Sequence, residues 1–556
     1  MSSSMAQEVC HAAASTGMQS DFGTKIASLG SHGKYASNID RELLLFWRAD
    51  LGINVEIYKC PCTVKSCTRA TAKADLGILL PHELAHWMYT YSVDKFKQLF
   101  CVDRLHAFWV RTIARNETWF QLHPLKETII ATPDKSVFLA IQLFGDDGMV
   151  RKRSVYQTLT WNSALTTGFA ALHCRFPTYI MPTGLQISGI TEVELQAAVI
   201  WSFHMWHTRR FGFYSHLGED WPANSQRSRM AGELIAGGYI PVYVGTTADM
   251  LWRKQHYRFP QHWQTTEICH RCEARDDDTA LNFMTCTSFP QRSHEAYMKS
   301  EAAANSPLCN MIGFHISMCR SEPMHSGPLG ALPSAVGSAL IELCDSNFFG
   351  GADLTPWEFK ISAQLSCAFK MFHTWSKENH ETHDIKKFSR TGFSMYTMSY
   401  AWPSFKGRAH NCVTLCRWLA AVCLEVAHES EYSRLRASVL GAWCDFFCLS
   451  NHPSDPDFHT EPELKEFDKV CTLLLHGTKR LAYINACSVT PRWKTVPKMH
   501  EIQHIHEDVL NSHRPAKTFF VVARRGKHGE IGESCVRNTR HDHILSDSGE
   551  MVHAVF

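Results

Sequence analysis

Two apolar runs that each end on an acidic residue constrain the fold of this chain more than any other feature. The first is SVFLAIQLFGDD at 136–147, and the second is GGYIPVYVGTTAD at 237–249. Each is a short apolar segment closed by turn-forming residues, which is typical of a buried strand. Between them lie two more strand-like runs, VYQTLTWNS at 155–163 and PTYIMP at 177–182, and a helical stretch at 191–209. This order predicts a sheet with helices packed against it.

Helical patterns surround this predicted sheet. Residues 38–128 carry mainly helical spacing, and most of the stretch from 330 to 485 is helical. Near the end, PAKTFFVVARR at 515–525 predicts a strand, and GEIGESCVRNTRH at 529–541 predicts a short helix. We therefore expect an α/β + α protein, a mixed-sheet domain interrupted by a long, mostly helical insertion. The predicted parts are a flexible leader at 1–37, a mainly helical region at 38–130, a sheet domain split between 131–250 and 511–556, and an insertion at 251–510.

Length and composition exclude several broad classes. At 556 residues the chain is too long for one simple core, and two to four domains are expected. A net charge of +2 gives no overall case for nucleic-acid binding, so any basic surface must be local. No secretory pattern opens the sequence and the 21 cysteines are scattered, so we expect reduced thiols in an intracellular protein. The most apolar long run, at 412–428, contains Arg417 and Glu425, so no membrane span is expected.

Three acids stand at comparable positions in the predicted sheet. Asp146, followed by Asp147, ends the first apolar run, Asp249 ends the second, and Glu530 opens the last predicted helix. Acids at the ends of neighbouring strands can meet in one crevice, where they hold two divalent ions for phosphoryl transfer. We predict that Asp146, Asp249 and Glu530 are catalytic and that Asp147 is a further metal ligand. Taken singly, each acid could also be a strand terminator or a helix cap.

A second candidate site is the C-x-x-C pair in EICHRCEA, formed by Cys269 and Cys272. A two-residue gap allows both thiolates to bind one tetrahedral zinc ion, and a reducing compartment favours zinc over a disulfide. Two more ligands are needed. The sequence offers several without ranking them, namely His256, His262, Cys286 and His325. Two plain buried cysteines remain the alternative.

The segment PHELAHW contains an H-E-x-x-H motif, His82 to His86, with Glu83 between the histidines. On a helix this spacing places two imidazoles on one face, as in zinc peptidases. Such a site requires a third protein ligand, and only a distant acid such as Glu117 is available. With 32 histidines in the chain, a chance match is the simpler interpretation, and the peptidase is kept as a minor alternative.

Basic and aromatic residues follow the first two acids. Arg151, Lys152 and Arg153 come after Asp146, and the segment MLWRKQHYRF after Asp249 supplies Arg253, Lys254 and Arg258. Basic side chains interleaved with rings suit phosphate contact and base stacking, so these six are the predicted nucleic-acid-binding residues. The same composition also suits a solvated helix face.

In their order, these segments resemble cut-and-paste DNA transposases of the DDE class, in particular CACTA/Plavaka-like branches. Gly145-Asp146 matches the first acid of that family, and Asp249 followed by the C-x-x-C matches the second. Glu322 and His325 before Leu329-Gly330 match an acid-x-x-His signature. The late P-K-x-H and N-P-R-like segments of the family are matched by Pro497-Lys498, His500, His504 and Asn511. The resemblance covers roughly residues 38 to 541.

This resemblance implies a fold, an activity and partners. It implies an RNase H-like catalytic domain in which Asp146, Asp249 and Glu530 bind two Mg²⁺ or Mn²⁺ ions and cleave and join DNA. It further implies structural zinc at Cys269 and Cys272 with His325, double-stranded transposon ends as the partner, a possible homo-oligomer and a nuclear location. Glu322 replaces the usual Asp, and the segment that usually has acids just before Ile-Gly or Val-Gly reads KHGEIGES at 527–534. The third acid could therefore be Glu533 or be lost, and a degenerate or domesticated DNA-binding relative is the alternative.

Overall fold

The computed structural model of the protein describes most of the chain between residues 55 and 516. The described ranges are 55–66, 70–151, 154–166, 174–276, 289–350, 356–396, 402–451, 454–455, 457–486 and 490–516, with a few positions before residue 29. The fold over these ranges is mixed α/β.

A five-stranded mixed sheet is the centre of the fold. Its strands are β3 (Phe138–Arg151), β4 (Ser154–Ser163), β5 (Phe176–Pro182), β6 (Ile240–Ala248) and β7 (Cys319–Ser321), in the order β5-β4-β3-β6-β7. β3 to β5 are antiparallel neighbours, whereas β6 pairs in parallel with both β3 and β7. The four strands expected from the apolar runs are confirmed. β3 and β6 are buried along most of their length because they occupy the middle of the sheet.

A β-hairpin precedes the sheet, within the region that the sequence predicted to be mainly helical. β1 (Tyr58–Lys65) and β2 (Thr71–Ile78) pair antiparallel. In β1 the buried residues are Tyr58, Cys60, Cys62 and Val64, every second position. This period of two is the signal of a half-buried strand, and it is present in YKCPCTVK. Cysteine and proline in that run obscured it, because neither is a typical strand residue.

Helices cover the sheet and form the insertion. The helices before and between the sheet strands are α1 (Pro81–Tyr91), α2 (Val93–Leu99), α3 (Val102–Arg115), α4 (Thr118–Gln121), α5 (Lys126–Ala131), α6 (Thr191–Thr208), α7 (Gln226–Met230), α8 (Met250–His256), α9 (His294–Met298) and α10 (Glu301–Ala304). Those after β7 are α11 (Pro323–Ser326), α12 (Leu332–Asp345), α13 (Trp357–Glu378), α14 (Ala409–Glu425), α15 (Glu431–Asn451), α16 (Glu461–Asn485) and α17 (Lys498–Ser512). The predicted helical block and the helix at 191–209 are confirmed.

The apolar interior has two main parts. One surrounds the sheet, the hairpin and α1 to α6, and the other lies among α12 to α17 and includes Cys269 and Cys272. One helical run, Pro323–Asp345, is long and apolar enough to cross a membrane. Because 83% of its most apolar window is buried within the protein, it has the character of a core helix.

Candidate functional site

Asp146 in β3 and Asp249 directly after β6 lie at the same side of the sheet. The prediction that β3 ends at this acid is wrong, because the strand continues to Arg151 through its pairing with β4. The last backbone pair between these parallel strands is Gly145 with Ala248, so Asp146 and Asp249 follow directly on neighbouring strands. One ligand atom each from Asp146, Asp249 and His325 lie within 4.8 Å of one another. All three side chains are partly exposed, so the group is open to solvent. We call this group the acidic site.

Close packing of α8 on β3 fixes the positions of the two aspartates. A Cβ atom at Gly145 would lie 2.0 Å from the indole of Trp252, so only glycine allows the ring to rest on the strand. Asp249 is the N-cap of α8, and its Oδ1 accepts a hydrogen bond from the backbone N–H of Trp252 at 2.6 Å. Asp249 therefore follows the end of β6 and begins α8, and the first turn of that helix orients its carboxylate.

His325 is oriented by a buried carboxylate. Glu322 caps α11 and accepts hydrogen bonds from the backbone N–H of His325 at 2.6 Å and from its Nδ1 at 2.7 Å. Burial disfavours the imidazolium, but Glu322, Asp146 and Asp249 outweigh burial and raise the pKa of His325 above its usual value. A histidine held at Nδ1 by a carboxylate is the arrangement that orients imidazoles toward metal ions through Nε2.

Two more charged side chains border the acidic site. The Asp147 side chain reaches solvent, but the surrounding protein desolvates it, and with the charges of Asp249 and Asp146 this raises its pKa to about 7. The guanidinium of Arg175 lies 4.0 Å from the centre of the Phe144 ring, two residues before Asp146. Burial lowers the pKa of Arg175 to about 10. Arg175 was not predicted, because it is a single basic residue before β5 and belongs to no basic cluster in the sequence.

A second ligand group joins segments that are far apart along the chain. Cys269 and Cys272 meet His500 and His504 of α17, and the four ligand atoms lie within 4.8 Å of one another. Cys269 Sγ is 3.1 Å from His504 Nε2, and Cys272 Sγ is 3.1 Å from His500 Nε2. All four side chains are buried. We call this group the Cys–His site.

Hydrogen bonds around the Cys–His site hold its ligands in place. His504 Nδ1 is 2.7 Å from a carboxylate oxygen of Glu507, and the Cys269 Sγ accepts the backbone N–H of Arg271. Arg271 in turn binds Asp508 through two hydrogen bonds of 2.8 and 2.7 Å. The pKa of the buried Cys269 thiol is lowered, because the hydrogen bond from Cys272 and the charge of His504 outweigh the cost of burial. The negative charge of Cys269 outweighs the burial of His504 and raises the pKa of that imidazole to about 9.

The remaining ligands of the cysteine pair differ from those expected. His325 belongs to the acidic site, because α11 begins directly after β7 at the same sheet edge. His256 is buried between the side chains of Gln157 and Gln196, with which its two ring nitrogens form hydrogen bonds. His262 packs on the neighbouring Trp263, and Cys286 lies outside the described residues. The sequence signal for the two histidines that gather with the cysteines was the H-x-x-x-H spacing of KMHEIQHIH, which places both imidazoles on one helix face.

The predicted DNA-contacting residues after Asp249 do not form a free basic face. Arg253 is 1% exposed and its guanidinium binds the carboxylate of Glu501, so it is not available to a phosphate. This corrects the expectation for Arg253: an interior partner, distant in sequence, neutralises it. Arg258 forms an ion pair of 2.8 Å with Glu192. Lys254 is half-buried on α8.

Among the residues that the structure describes, the H-E-x-x-H motif does not gather a set of three metal ligands. His82 is buried and its Nδ1 lies 2.7 Å from the hydroxyl of Ser202. Glu83 forms an ion pair with Arg227, and His86 accepts the backbone N–H of Ala236. Within the ranges the structure covers, no third ligand gathers with the two histidines. The contacts of α1 with α6 and with the segments that carry Arg227 and Ala236 therefore account for the two histidines and the glutamate of the motif.

Four of the predicted site residues cannot be placed. Glu530 lies outside the described residues, as do its alternative Glu533, Lys152 and Arg153. β3 ends at Arg151, whose side chain is not described.

Comparison with known proteins identifies no family for this chain. No protein-family model matches it, and no curated protein matches it.

Proposed function

We propose that this protein is a DDE-type DNA transposase, which cleaves and joins DNA by divalent-metal-dependent phosphoryl transfer. The observation that carries the proposal is the meeting of Asp146, Asp249 and His325, residues separated by as many as 179 positions, at one open sheet edge. The family resemblance of the sequence supports it independently, because it assigns the same two aspartates before any geometry is considered.

The sheet supports an RNase H-like assignment for the catalytic domain. Three antiparallel strands, β3 to β5, are extended by two parallel strands, β6 and β7, on the other side of β3. An RNase H-like sheet has this arrangement, with its acids on the central strand and on the adjacent parallel one. The late helix α17 packs against β7 and α11, as a helix that returns after an insertion would.

The acidic site has the ligand chemistry for Mg²⁺ or Mn²⁺. Two ions bound there would activate an attacking oxygen and stabilise the leaving one during in-line displacement. Asp146 and Asp249 offer the carboxylate oxygens that these hard cations prefer. Glu322 fixes the ring of His325, and Glu530 remains the proposed third acid. Arg175 is placed to neutralise charge beside Asp146, and Lys254 remains a proposed contact with double-stranded DNA.

The Cys–His site has the ligand chemistry for structural zinc. Two thiolates and two imidazoles form a tetrahedral S₂N₂ set, and four buried protein ligands leave no position for a substrate. Zinc there would join the segment after α8 to α17.

The full-length protein with supercoiled plasmid DNA and Mn²⁺ or Mg²⁺ tests the activity. We expect metal-dependent nicking that is lost in Asp249→Asn and Asp146→Asn and retained in the matched exposed variant Asp75→Asn. Equal nicking by wild type and Asp249→Asn would remove this assignment. DNA binding without nicking by the wild type, under either metal, would favour the degenerate DNA-binding protein.

A further inference from the structure

Glu501 on α17 is a buried carboxylate that binds three separate segments. Its side chain accepts hydrogen bonds from the Arg253 guanidinium, from Ser321 Oγ at 3.3 Å and from Ser326 Oγ at 2.9 Å. Glu501 is 4% exposed, and its oxygens are not among the ligand atoms that gather at the acidic site.

Each partner of Glu501 lies close in sequence to a member of the acidic site. Arg253 is one helical turn after Asp249 and donates from Nε to its backbone carbonyl at 3.4 Å. Ser321 directly precedes Glu322, and Ser326 directly follows His325. The carboxylate therefore ties together the backbone segments on which Asp249, Glu322 and His325 stand.

The same helix makes a further contact with this region and carries the Cys–His site. Lys498, one turn before Glu501, donates from Nζ to the backbone carbonyl of His325 at 3.0 Å. His500 and His504, on either side of Glu501, are the Cys–His ligands. An ion bound there would hold α17 against the segment after α8, and with it the carboxylate of Glu501.

We infer that Glu501 is a positioning residue of the acidic site, which sets the spacing of Asp249 and His325 without binding the cation itself. The inference rests on the proposed cation site. A buried Arg–Glu pair with additional hydroxyl donors is well suited to this role. Removing either partner leaves an uncompensated buried charge, and the segments that carry Asp249 and His325 must then move to expose or neutralise it.

The test measures cation binding by the zinc-loaded, full-length protein, without DNA. Mn²⁺ is titrated and its free concentration is followed by electron paramagnetic resonance, with Asp146→Asn/Asp249→Asn defining the background. We expect Glu501→Gln to weaken Mn²⁺ binding at least about tenfold, the usual effect of losing an outer partner of a metal site. The zinc content stays at one ion, and the exposed-helix control Glu466→Gln binds Mn²⁺ as the wild type does.

A paired variant separates positioning from direct ligation. Arg253→Gln/Glu501→Gln replaces the ion pair by two amides that can still bond, so we expect recovery of most of the Mn²⁺ affinity. If the double variant instead loses affinity as fully as Glu501→Gln, with zinc content retained, the Arg253–Glu501 pair does not set the spacing of Asp249 and His325 and the positioning role is wrong.

Further outcomes distinguish this inference from the proposed function. A wild type that binds no Mn²⁺ above background removes the cation site, and both proposals fail. Normal Mn²⁺ binding by Glu501→Gln removes the positioning role alone. Should Glu501→Gln not fold, Ser326→Ala keeps the ion pair and removes one donor. It is expected to weaken Mn²⁺ binding about threefold, and unchanged binding would contradict the inference.

Discussion

The acidic site and the Cys–His site are both built from residues distant in sequence, yet they differ in exposure and in coordination. The Cys–His site has four buried ligands with hydrogen-bonded outer partners. The acidic site has three partly exposed ligands at the open edge of the sheet. Closed sites are typical of structural metals, whereas open ones leave positions for substrate.

This difference assigns the two sites separate roles in one architecture. The closed site joins α17 to the segment after α8, and the open site lies where β3, β6 and α11 meet. α17 contributes to both, because it carries two Cys–His ligands and contacts the segments around the acidic site. Stability should therefore depend mainly on the closed site, and cation-dependent activity on the open one.

Loss of the Cys–His site should have the largest effect. We expect Cys269→Ser/Cys272→Ser to lose one equivalent of zinc and more than about 4 kcal/mol of stability, because metal binding there contributes directly to folding. Metal analysis and chemical denaturation measure the two quantities. The exposed Cys448→Ser is the matched control and should change neither. A full complement of zinc in the double variant would refute the closed site.

Gly145→Ala should affect the open site and stability together. The added methyl group meets the Trp252 ring, so α8 must move away from β3, at a cost of about 1–3 kcal/mol. Because Asp249 begins α8, Mn²⁺ affinity should fall as well. Gly184→Ala, where a Cβ meets no atom within 4 Å, is the control and should change stability by less than about 0.5 kcal/mol. Thermal unfolding and Mn²⁺ titration of both variants provide the comparison.

The open site was more accessible to sequence reasoning than the closed one. Apolar runs followed by acids predict strands, and parallel pairing of two such strands brings Asp146 and Asp249 together, so their proximity follows from local patterns. The continuation of β3 to Arg151 does not follow from them. The Cys–His site required knowing that α17 returns to the C-x-x-C, and Cys272 and His500 are 228 positions apart. No local rule gives that pairing without an alignment.

Buried charge pairs are equally hard to predict from local sequence. Arg253 occurs in a basic, aromatic helix that resembles a surface helix in sequence, but it is interior because Glu501, 248 positions away, neutralises it. The β1 hairpin was missed for a different reason, since its alternating pattern was present but interrupted by Cys and Pro, which are not typical strand residues. Long-range charge pairing cannot be read locally, whereas the hairpin could have been.

Cation binding at the open site should depend on pH. Neutral His325 binds a cation and the imidazolium does not, and the pKa of His325 is raised by Glu322 and the two aspartates. Protons therefore compete below that raised pKa, and Mn²⁺ affinity should increase as pH rises through it. Asp147, with a pKa of about 7, adds to the increase in Mn²⁺ affinity from pH 6 to 8.

The stability of the protein without a bound cation should depend on pH in the opposite direction. The Glu322–His325 pair stabilises the fold at low pH and loses this contribution as pH rises through the raised pKa of His325. Mn²⁺ titrations at pH 6, 7 and 8 measure the pH dependence of the cation affinity. His325→Gln should flatten it, and an equally steep profile in that variant would contradict the role of His325.

The smallest effect is expected at the H-E-x-x-H motif, where no third ligand gathers among the described residues. His86 is held by the backbone N–H of Ala236, and Glu83 by Arg227. His86→Gln should retain the zinc content and the Mn²⁺ affinity of the wild type and lose about 1 kcal/mol of stability, the usual value of one hydrogen bond. The measurements are metal analysis, Mn²⁺ titration and denaturation on the same preparation. Loss of one zinc equivalent in His86→Gln, with the Cys–His ligands intact, would instead favour the peptidase interpretation. In that case the half-buried imidazole of His86 would itself be a zinc ligand.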